Sequence, residues 1–145
     1  MEGRLTYLVD TSVWLELLLE RDRAPEALAF LQATDAAALA ATDFAVHSVG
    51  VVLTRLRKRE LFNRFLADLI EEPAVRVVRL DLADLHEVPG VMAPLRLDFD
   101  DAYQYVAAEK HGLTIVSFDS DFDRTELGRK APGEVTEPPA PPAGP

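Results

Sequence analysis

Short apolar segments alternate with longer helical segments along most of this chain, and this alternation is the feature that most restricts its fold. The apolar segments are short enough to be buried strands, and they cover residues 5–9, 38–41, 75–80 and 113–118, the second being the weakest. Strands that alternate with helices are typical of parallel sheets, because parallel strands need crossover connections. We therefore predict an α/β fold with three layers, α/β/α, around a central, mainly parallel sheet.

Helical segments fill the spaces between these strands. Their predicted positions are residues 11–20, a segment beginning near Pro25, and residues 43–54, 60–71, 82–88 and 98–111. Pro89 and Gly90 are expected to end the fifth helix, and Gly112 is well placed to end the sixth. Asp43 is expected to cap the third helix, which carries no other carboxylate, lysine or arginine through residue 54 and is therefore predicted to be buried.

The length of 145 residues predicts one domain whose core can form without a disulfide or a structural metal. The chain has no cysteine, which excludes thiolate nucleophiles, zinc-binding thiolates and iron–sulfur clusters. Residues 1–130 are assigned to the domain, and the proline-rich residues 131–145 to a flexible tail. The most apolar N-terminal segment is interrupted by Asp10 and Glu16, so we expect neither a signal peptide nor a membrane span, and a cytoplasmic protein.

The net charge of −10 ordinarily argues against a nucleic-acid substrate, because phosphates are bound by clustered lysine and arginine. This argument fails where several carboxylates gather around a cation, because the bound ion reverses the local charge. The positions of the aspartates therefore decide which interpretation applies.

Two of the predicted strands end in an aspartate, with Asp10 after the first strand and Asp119 after the last. Ligands of open parallel sheets bind at the carboxyl ends of the strands, so we expect both carboxylates in one crevice. Each could instead cap the helix or turn that follows it. For Asp10 capping is the weaker interpretation, because Thr11 and Ser12 could cap that helix without burying a carboxylate.

A third group of carboxylates, Asp98, Asp100 and Asp101, lies at the start of the predicted helix 98–111. One carboxylate in a first turn interacts favourably with the helix macrodipole, but three close together repel one another unless a cation or basic group compensates. A site residue is therefore the favoured interpretation of Asp101, with a cap as the alternative. Asp98 fits a site or a cap equally well, and Asp100 is interpreted as a surface residue.

The third helix carries a narrow polar stripe in which Asp43, His47, Gly50 and Thr54 follow helical spacing. Such a stripe is either a hydrogen-bonded feature of the core or the wall of a site, and Gly50 would permit a close approach. Both interpretations remain open for Asp43 and His47.

Carboxylates from at least three separate segments are thus expected to converge, with little histidine and no cysteine nearby. Oxygen ligands of this kind favour Mg²⁺ or Mn²⁺ over zinc or copper. The candidate metal ligands are Asp10, Asp98, Asp101 and Asp119, with Asp43 and the nearby Asp121 as further candidates.

Three motifs resemble the PIN-domain family, metal-dependent ribonucleases that include the VapC toxins of toxin–antitoxin pairs. They are Leu8-Val9-Asp10-Thr11-Ser12 followed by Trp14, Asp101-Ala102 at the start of a helix, and Val116-Ser117-Phe118-Asp119-Ser120-Asp121-Phe122 after Gly112-Leu113. The resemblance extends from residue 5 to about residue 123. Where the family usually has a glutamate, in the helix after the second strand, this sequence has His47, with Asp43 one turn earlier.

The resemblance implies hydrolysis of RNA phosphodiester bonds, with Asp10, Asp101 and Asp119 as catalytic residues that hold one or two Mg²⁺ or Mn²⁺ ions. The residues expected to contact substrate or support these ligands are Thr11, Ser12, His47 and Ser117. The implied partners are RNA, an antitoxin and a second copy of the chain in a homodimer. A catalytically impaired PIN-like module that binds RNA or a protein partner is the alternative.

Five basic residues near the end of the third helix offer a further contact with RNA. They are Arg55, Arg57, Lys58, Arg59 and Arg64. They could guide RNA toward the acidic crevice, or they could be an ordinary solvated surface that complements the dipole at a helix end.

Overall fold

A computed structural model describes residues 4–71 and 74–136 of the chain, and its strands form one parallel sheet. The strands are β1 (Tyr7–Val9), β2 (Leu39–Thr42), β3 (Arg76–Val78) and β4 (Thr114–Val116). Their order is β3-β2-β1-β4, and every neighbouring pair is parallel. The predicted α/β fold is confirmed, including the weakest of the four strands.

The described residues also form eight α-helices and two short 3-10 helices, most of which lie between the strands. The α-helices are α1 (Thr11–Leu18), α2 (Ala24–Ala33), α3 (Asp43–Arg55), α4 (Arg59–Ile70), α5 (Leu82–Leu85), α6 (Val88–Leu95), α7 (Phe99–His111) and α8 (Pro132–Thr136). The 3-10 helices are Ala36–Ala38 and Ser120–Arg124. Gly112 ends α7 with a φ of 65°, as predicted, because only glycine adopts the left-handed region at little cost.

Alternate residues of each strand face opposite sides of the sheet, and each side has its own core. Leu8 and Ile115 belong to a cluster with α5, α6 and α7. Val9 and Val116 belong to a cluster with α1, α2, α3 and α4. All four side chains have at most 1% of their surface exposed, and burial of each contributes about 1.5–3 kcal/mol. Because both faces of the sheet are covered at its centre, β1 and β2 are mostly apolar rather than alternating, whereas Arg76 and Val77 of the edge strand β3 are exposed.

The prediction that Pro89 and Gly90 end a helix is wrong. Two helices cover this part of the chain, and Pro89 lies in the first turn of α6. Its missing N–H costs nothing there, because the first N–H groups of a helix have no partner within the helix. Val88, fully buried against α7 and β4 residues, fixes the start of α6 in the core.

Helix α3 differs from its prediction in two respects. Thr42, rather than Asp43, caps the helix, with its hydroxyl accepting a hydrogen bond from the Ala45 N–H at 2.9 Å. The helix is also not buried on all sides, since His47 and Val51 are exposed. Gly50 does permit a close approach, but to Phe62 of α4, whose ring would lie 2.8 Å from an added Cβ.

The folded part of the chain extends beyond residue 130, where the sequence analysis places the start of the tail. Helix α8 packs against α2, and the Gly133 N–H donates to Glu26 Oε2 at 2.8 Å. Ala131 and Pro132 are buried and Val135 is half-buried. The remainder of the predicted tail, residues 137–145, lies outside the described residues. Within the described residues, no helix is long and apolar enough to cross a membrane.

A chain that ends at residue 130 is expected to be less stable than one that ends at residue 136. The missing segment would expose apolar surface on α2 and remove the burial of Pro132 and Val135. We expect a decrease of about 2 kcal/mol in the free energy of unfolding, measured by urea denaturation. Equal stability of the two chains would contradict the assignment of α8 to the packed domain.

Candidate metal centre

The candidate site lies at the carboxyl ends of β1 and β4, where the connections of the sheet change direction. From β1 the chain crosses to β2 and β3 on one side, and β4 adds to the other side of β1. A crevice forms at such a switch point because the segments that leave the neighbouring strands β1 and β4 diverge. Asp10 follows β1 directly and Asp119 lies three residues after β4, so the two strands bring their aspartates to this crevice.

Asp10 occupies the N-cap position of α1 without capping it. Its carboxylate, on a residue with only 5% of its surface exposed, instead accepts three side-chain hydrogen bonds. Ser117 Oγ donates at 2.7 Å, Ser12 Oγ at 2.9 Å and Gln104 Nε2 at 3.1 Å. These bonds hold the carboxylate in one orientation and compensate for its burial.

The serines also join β4 to α1. Ser12 Oγ accepts from the Phe118 N–H at 3.1 Å, and Ser117 Oγ accepts from the Asp119 N–H at 2.9 Å. Thr11 lines the crevice at the start of the same helix. Thr11, Ser12 and Ser117 are thus brought to the site, where contact with a substrate remains a prediction.

Three further aspartates meet in the crevice. One carboxylate oxygen from each of Asp101, Asp119 and Asp121 lies within 4.8 Å of the others. Two aspartates of the site are also caps: Asp98 Oδ1 accepts from the Asp101 N–H, and Asp119 Oδ1 from the Asp121 N–H, both at 2.9 Å. The capping interpretation is confirmed for Asp98 and Asp119, and their role in a metal site stays a prediction that capping does not oppose, because a cap uses only part of a carboxylate's capacity to accept.

The crevice has a volume of about 270 Å³ and is acidic. Its lining residues are Asp10, Thr11, Ser12, Phe44, Ser48, Asp98, Asp100, Asp101, Gln104, Asp119 and Asp121. Within the described part of the chain, no lysine or arginine lines it. Arg124 pairs with Asp121 at 2.9 Å, and its guanidinium also donates to main-chain oxygens of Leu95 and Arg96.

Electrostatic repulsion within this cluster is strongest at Asp101. Burial, followed by the nearby charges of Asp119, Asp98 and Asp10, raises the pKa of Asp101 to about 8. Burial and the charges of Asp98 and Asp10 also raise the pKa of Asp100. A bound cation would relieve this repulsion, because it favours the ionised form of every carboxylate around it.

The donor set fits a hard divalent cation. All the charged donors are carboxylates, which suit Mg²⁺ or Mn²⁺, whereas zinc and copper sites usually contain imidazole or thiolate. Ligands on opposite sides of Mg²⁺ lie about 4.2 Å apart, close to the 4.8 Å within which the three oxygens already lie. Asp101, Asp119 and Asp121 could therefore hold the ion after small side-chain movements.

The structure does not bring Asp43 or His47 into this crevice. The Asp43 carboxylate accepts from the Tyr103 hydroxyl at 2.7 Å and lies in a separate hollow with Arg79 and Lys110. His47 lies in an adjoining hollow. The reason is the rotation of α3, which directs Phe44 and Ser48 toward the carboxylates instead.

Gln104 is a residue of the site that the sequence analysis missed. It is 2% exposed and links two strand ends, since its Nε2 donates to Asp10 and its Oε1 accepts from Thr42 Oγ1. The signal available in the sequence was a lone amide in the apolar part of α7, one turn after Asp101. Asp100, interpreted as a surface residue, is exposed but also lines the crevice.

The five basic residues noted in the sequence surround the turn between α3 and α4, and we call this surface the basic corner (Arg55, Arg57, Lys58, Arg59 and Arg64). Four of them line a hollow of about 420 Å³ with Glu60 and Leu61. All five are exposed, and none takes part in the four ion pairs found among the described residues. Their charge is therefore available to a ligand.

The family model of the PIN domain matches residues 7–127 of this chain. Similar solved structures include VapC20 of Mycobacterium tuberculosis, described as a sarcin–ricin loop cleaving toxin, with 19% identity, a TM-score of 0.71, and coverage of 81% of this chain and 93% of that one. A toxin–antitoxin complex from Klebsiella pneumoniae has 16% identity and a TM-score of 0.70, and the match covers 88% of this chain and 98% of that one. FitAcB from Neisseria gonorrhoeae has 18% identity and a TM-score of 0.68, and the match covers 88% of this chain and 98% of that one. No curated protein sequence matches this chain.

Proposed function

This chain belongs to the PIN domain family, and from that premise we propose that it is a metal-dependent ribonuclease and the toxin of a toxin–antitoxin pair. The observation that carries the proposal is the convergence of Asp101, Asp119 and Asp121 beside the buried Asp10 at the switch point of the sheet. The toxins among the structural neighbours support the biological role.

Several residues of the crevice have a chemical task in this proposal. Asp101, Asp119 and Asp121, with Asp10 beside them, would hold Mg²⁺ or Mn²⁺. When bound, the ion would supply electrostatic stabilisation of the phosphoryl group and a more acidic water for attack on phosphorus. Thr11 and Ser12 would orient the phosphate at the start of α1, and Ser117 keeps Asp10 aimed at the crevice.

Replacement of Gln104 by leucine is expected to lower RNA cleavage about 10- to 100-fold. Leucine has nearly the same volume but cannot donate to Asp10, so the carboxylate loses one of its three hydrogen bonds. Cleavage rates and calorimetric Mn²⁺ affinity should fall together. Gln32→Leu, on the exposed part of α2, is the matched control. An unchanged metal affinity in Gln104→Leu would contradict this positioning role.

RNA would approach along α3, which connects the crevice to the basic corner. Phe44 and Ser48 of this helix line the crevice, and Arg55 ends it. At 1.5 Å per residue, the distance along the axis from Phe44 to Arg55 is about 17 Å, a span of several nucleotides. The free cations of the basic corner would bind phosphates there, so the negative net charge does not oppose an RNA substrate.

The partners in this proposal are an antitoxin and a second copy of the chain. The antitoxin follows from the toxin–antitoxin complex among the similar structures. The homodimer follows from the family resemblance stated above. Both are tested by measuring the mass of the protein in solution, alone and after co-expression with the product of an adjacent gene.

Cleavage of a mixed RNA pool by the purified protein tests the nuclease. Cleavage is expected with Mn²⁺ or Mg²⁺, and it should stop when the ions are chelated. Asp119→Asn should reduce it at least 100-fold, because asparagine keeps the cap but not the charge, whereas Asp68→Asn on the exposed part of α4 should not. Equal cleavage by wild type and Asp119→Asn would contradict the proposal.

Binding of RNA without cleavage would instead favour a catalytically impaired PIN-like module. One observation supports this alternative: α3 contributes Phe44 and Ser48, but no carboxylate, to the crevice. The metal dependence of cleavage separates the two candidate functions.

A further inference from the structure

A second hollow adjoins the acidic crevice and has a different chemical character. It has a volume of about 360 Å³ and is lined by Phe44, His47, Ser48, Val51, Val52 and Asp100. Phe44, Ser48 and Asp100 line the crevice as well, so the two spaces share a wall. The volume lies within the range of about 300–1,000 Å³ that small-molecule sites occupy.

The hollow combines an aromatic face, an apolar floor and unpaired polar groups. The Phe44 ring is held by two other rings, with centroids 5.2 Å from Tyr103 and 5.8 Å from Phe99. Val51 is 47% exposed. In residues 4–71 and 74–136, the side chains of His47 and Ser48 have no hydrogen-bond partner, so they are available to a ligand.

We propose that this hollow binds an unpaired nucleobase of the RNA next to the scissile phosphate, an inference that rests on the proposed ribonuclease function. The base would stack against Phe44 and the valines, while His47 and Ser48 would hydrogen-bond to its edge. Sequence-specific contacts with RNA are made mostly to unpaired bases that stack on aromatic side chains. The substrate class is therefore single-stranded RNA or a loop, because a base in a duplex cannot enter the hollow.

The position of the hollow along α3 supports this assignment. His47, Val51 and Arg55 follow one another at intervals of four residues, so they form one exposed stripe on the helix. The stripe leads from the wall shared with the crevice to the basic corner. A nucleotide placed there would have its phosphate at the carboxylates, its base in the hollow, and the rest of the strand directed toward free cations.

The test compares RNA substrates that have a mapped cleavage site with the same substrates lacking one base. An abasic nucleotide is introduced on the 5′ side or on the 3′ side of the scissile phosphate, and KM and kcat are measured with Mn²⁺. The variants are Val51→Asp and His47→Ala. The matched controls are Val77→Asp on the exposed edge strand β3 and His86→Ala, also exposed.

Val51→Asp and His47→Ala are expected to raise KM for intact RNA about 10-fold with little change in kcat. On the substrate that lacks the base on one side, the KM of the wild type should rise to the value that the variants show on intact RNA. On that abasic substrate the variants and the wild type should have the same KM. The controls should behave as wild type on both substrates. This pattern assigns the hollow to a base rather than to a phosphate.

Three results would overturn the inference. The variants could behave as the controls on intact RNA, their effect could persist on both abasic substrates, or Val51→Asp could change the mass of the protein in solution, which would assign this face of α3 to a second copy. If the wild type cleaves neither intact RNA nor abasic RNA, the proposed function is contradicted, and the inference with it. The failure of the inference alone leaves wild-type cleavage intact.

Discussion

Replacement of Asp101 by asparagine is expected to stabilise the metal-free protein and, at the same time, to abolish cleavage of RNA. Burial and the charges of Asp119 and Asp98 raise the pKa of Asp101 to about 8, so the ionised carboxylate is unfavourable in the cluster without a cation. Asparagine has the same size and no charge. The free energy of unfolding of the metal-free protein should increase by about 1–3 kcal/mol at pH 8, measured by urea denaturation.

The same substitution removes a carboxylate proposed to hold the cation, so activity should fall at least 100-fold. Stabilisation combined with loss of activity is the signature of a group kept for its chemistry rather than for folding. Asp68→Asn, on the exposed part of α4, should change neither quantity. A decrease in the stability of metal-free Asp101→Asn would mean that the carboxylate makes a favourable structural contact and that repulsion does not dominate the cluster.

The features predicted correctly from the sequence are those that depend on neighbouring residues. Apolar runs predict the strands and Gly112 predicts the end of α7, because both signals are local. The prediction for Pro89 is wrong because proline fits either just after a helix or in its first turn. Burial of Val88 in the core decides between these positions, and that contact is not visible in the local sequence.

The difference between local signals and contacts made only in the fold also explains which residues of the candidate site could be predicted. Asp10 and Asp119 could be expected near each other because both follow strands of one parallel sheet. The face of α3 could not be predicted in this way, since adjacent helical residues point about 100° apart. Packing of Gly50 against Phe62 helps to fix that rotation, and it directs Ser48 rather than His47 toward the carboxylates.

Gln104 illustrates a contact that no short motif contains. Its two partners, Thr42 and Asp10, lie 62 and 94 positions away in the sequence. A buried amide among apolar residues indicates that some partner must exist, because an unpaired buried amide is costly. Only the fold identifies that partner as the carboxylate at the end of β1.

Divalent metal is expected to stabilise the protein more at pH 8 than at pH 5. In the metal-free folded state Asp101 keeps its proton up to about pH 8, whereas its ordinary pKa of 3.8 applies after unfolding. The contribution of this protonated carboxyl group to the free energy of unfolding is complete below pH 3.8, declines as the pH rises, and is lost above about pH 8. The pKa of Asp100 is raised in the same direction. Mn²⁺ requires the ionised carboxylates, so its stabilisation should grow over this window to about 2.7 kcal/mol at 100 times Kd.

Melting temperatures measured from pH 5 to pH 8, with and without Mn²⁺, test this expectation. A stabilisation of this size corresponds to an increase in Tm of about 5–10 °C. A hydrogen bond from Lys110 lowers the pKa of the half-buried Asp84, but that carboxylate titrates below its ordinary value of 3.8 and therefore outside the window. In Asp101→Asn both the pH dependence and the effect of Mn²⁺ should become smaller. A Tm that does not change on addition of Mn²⁺ at any pH would contradict a metal centre at these carboxylates, because ions that neutralise a repelling cluster must stabilise the folded state.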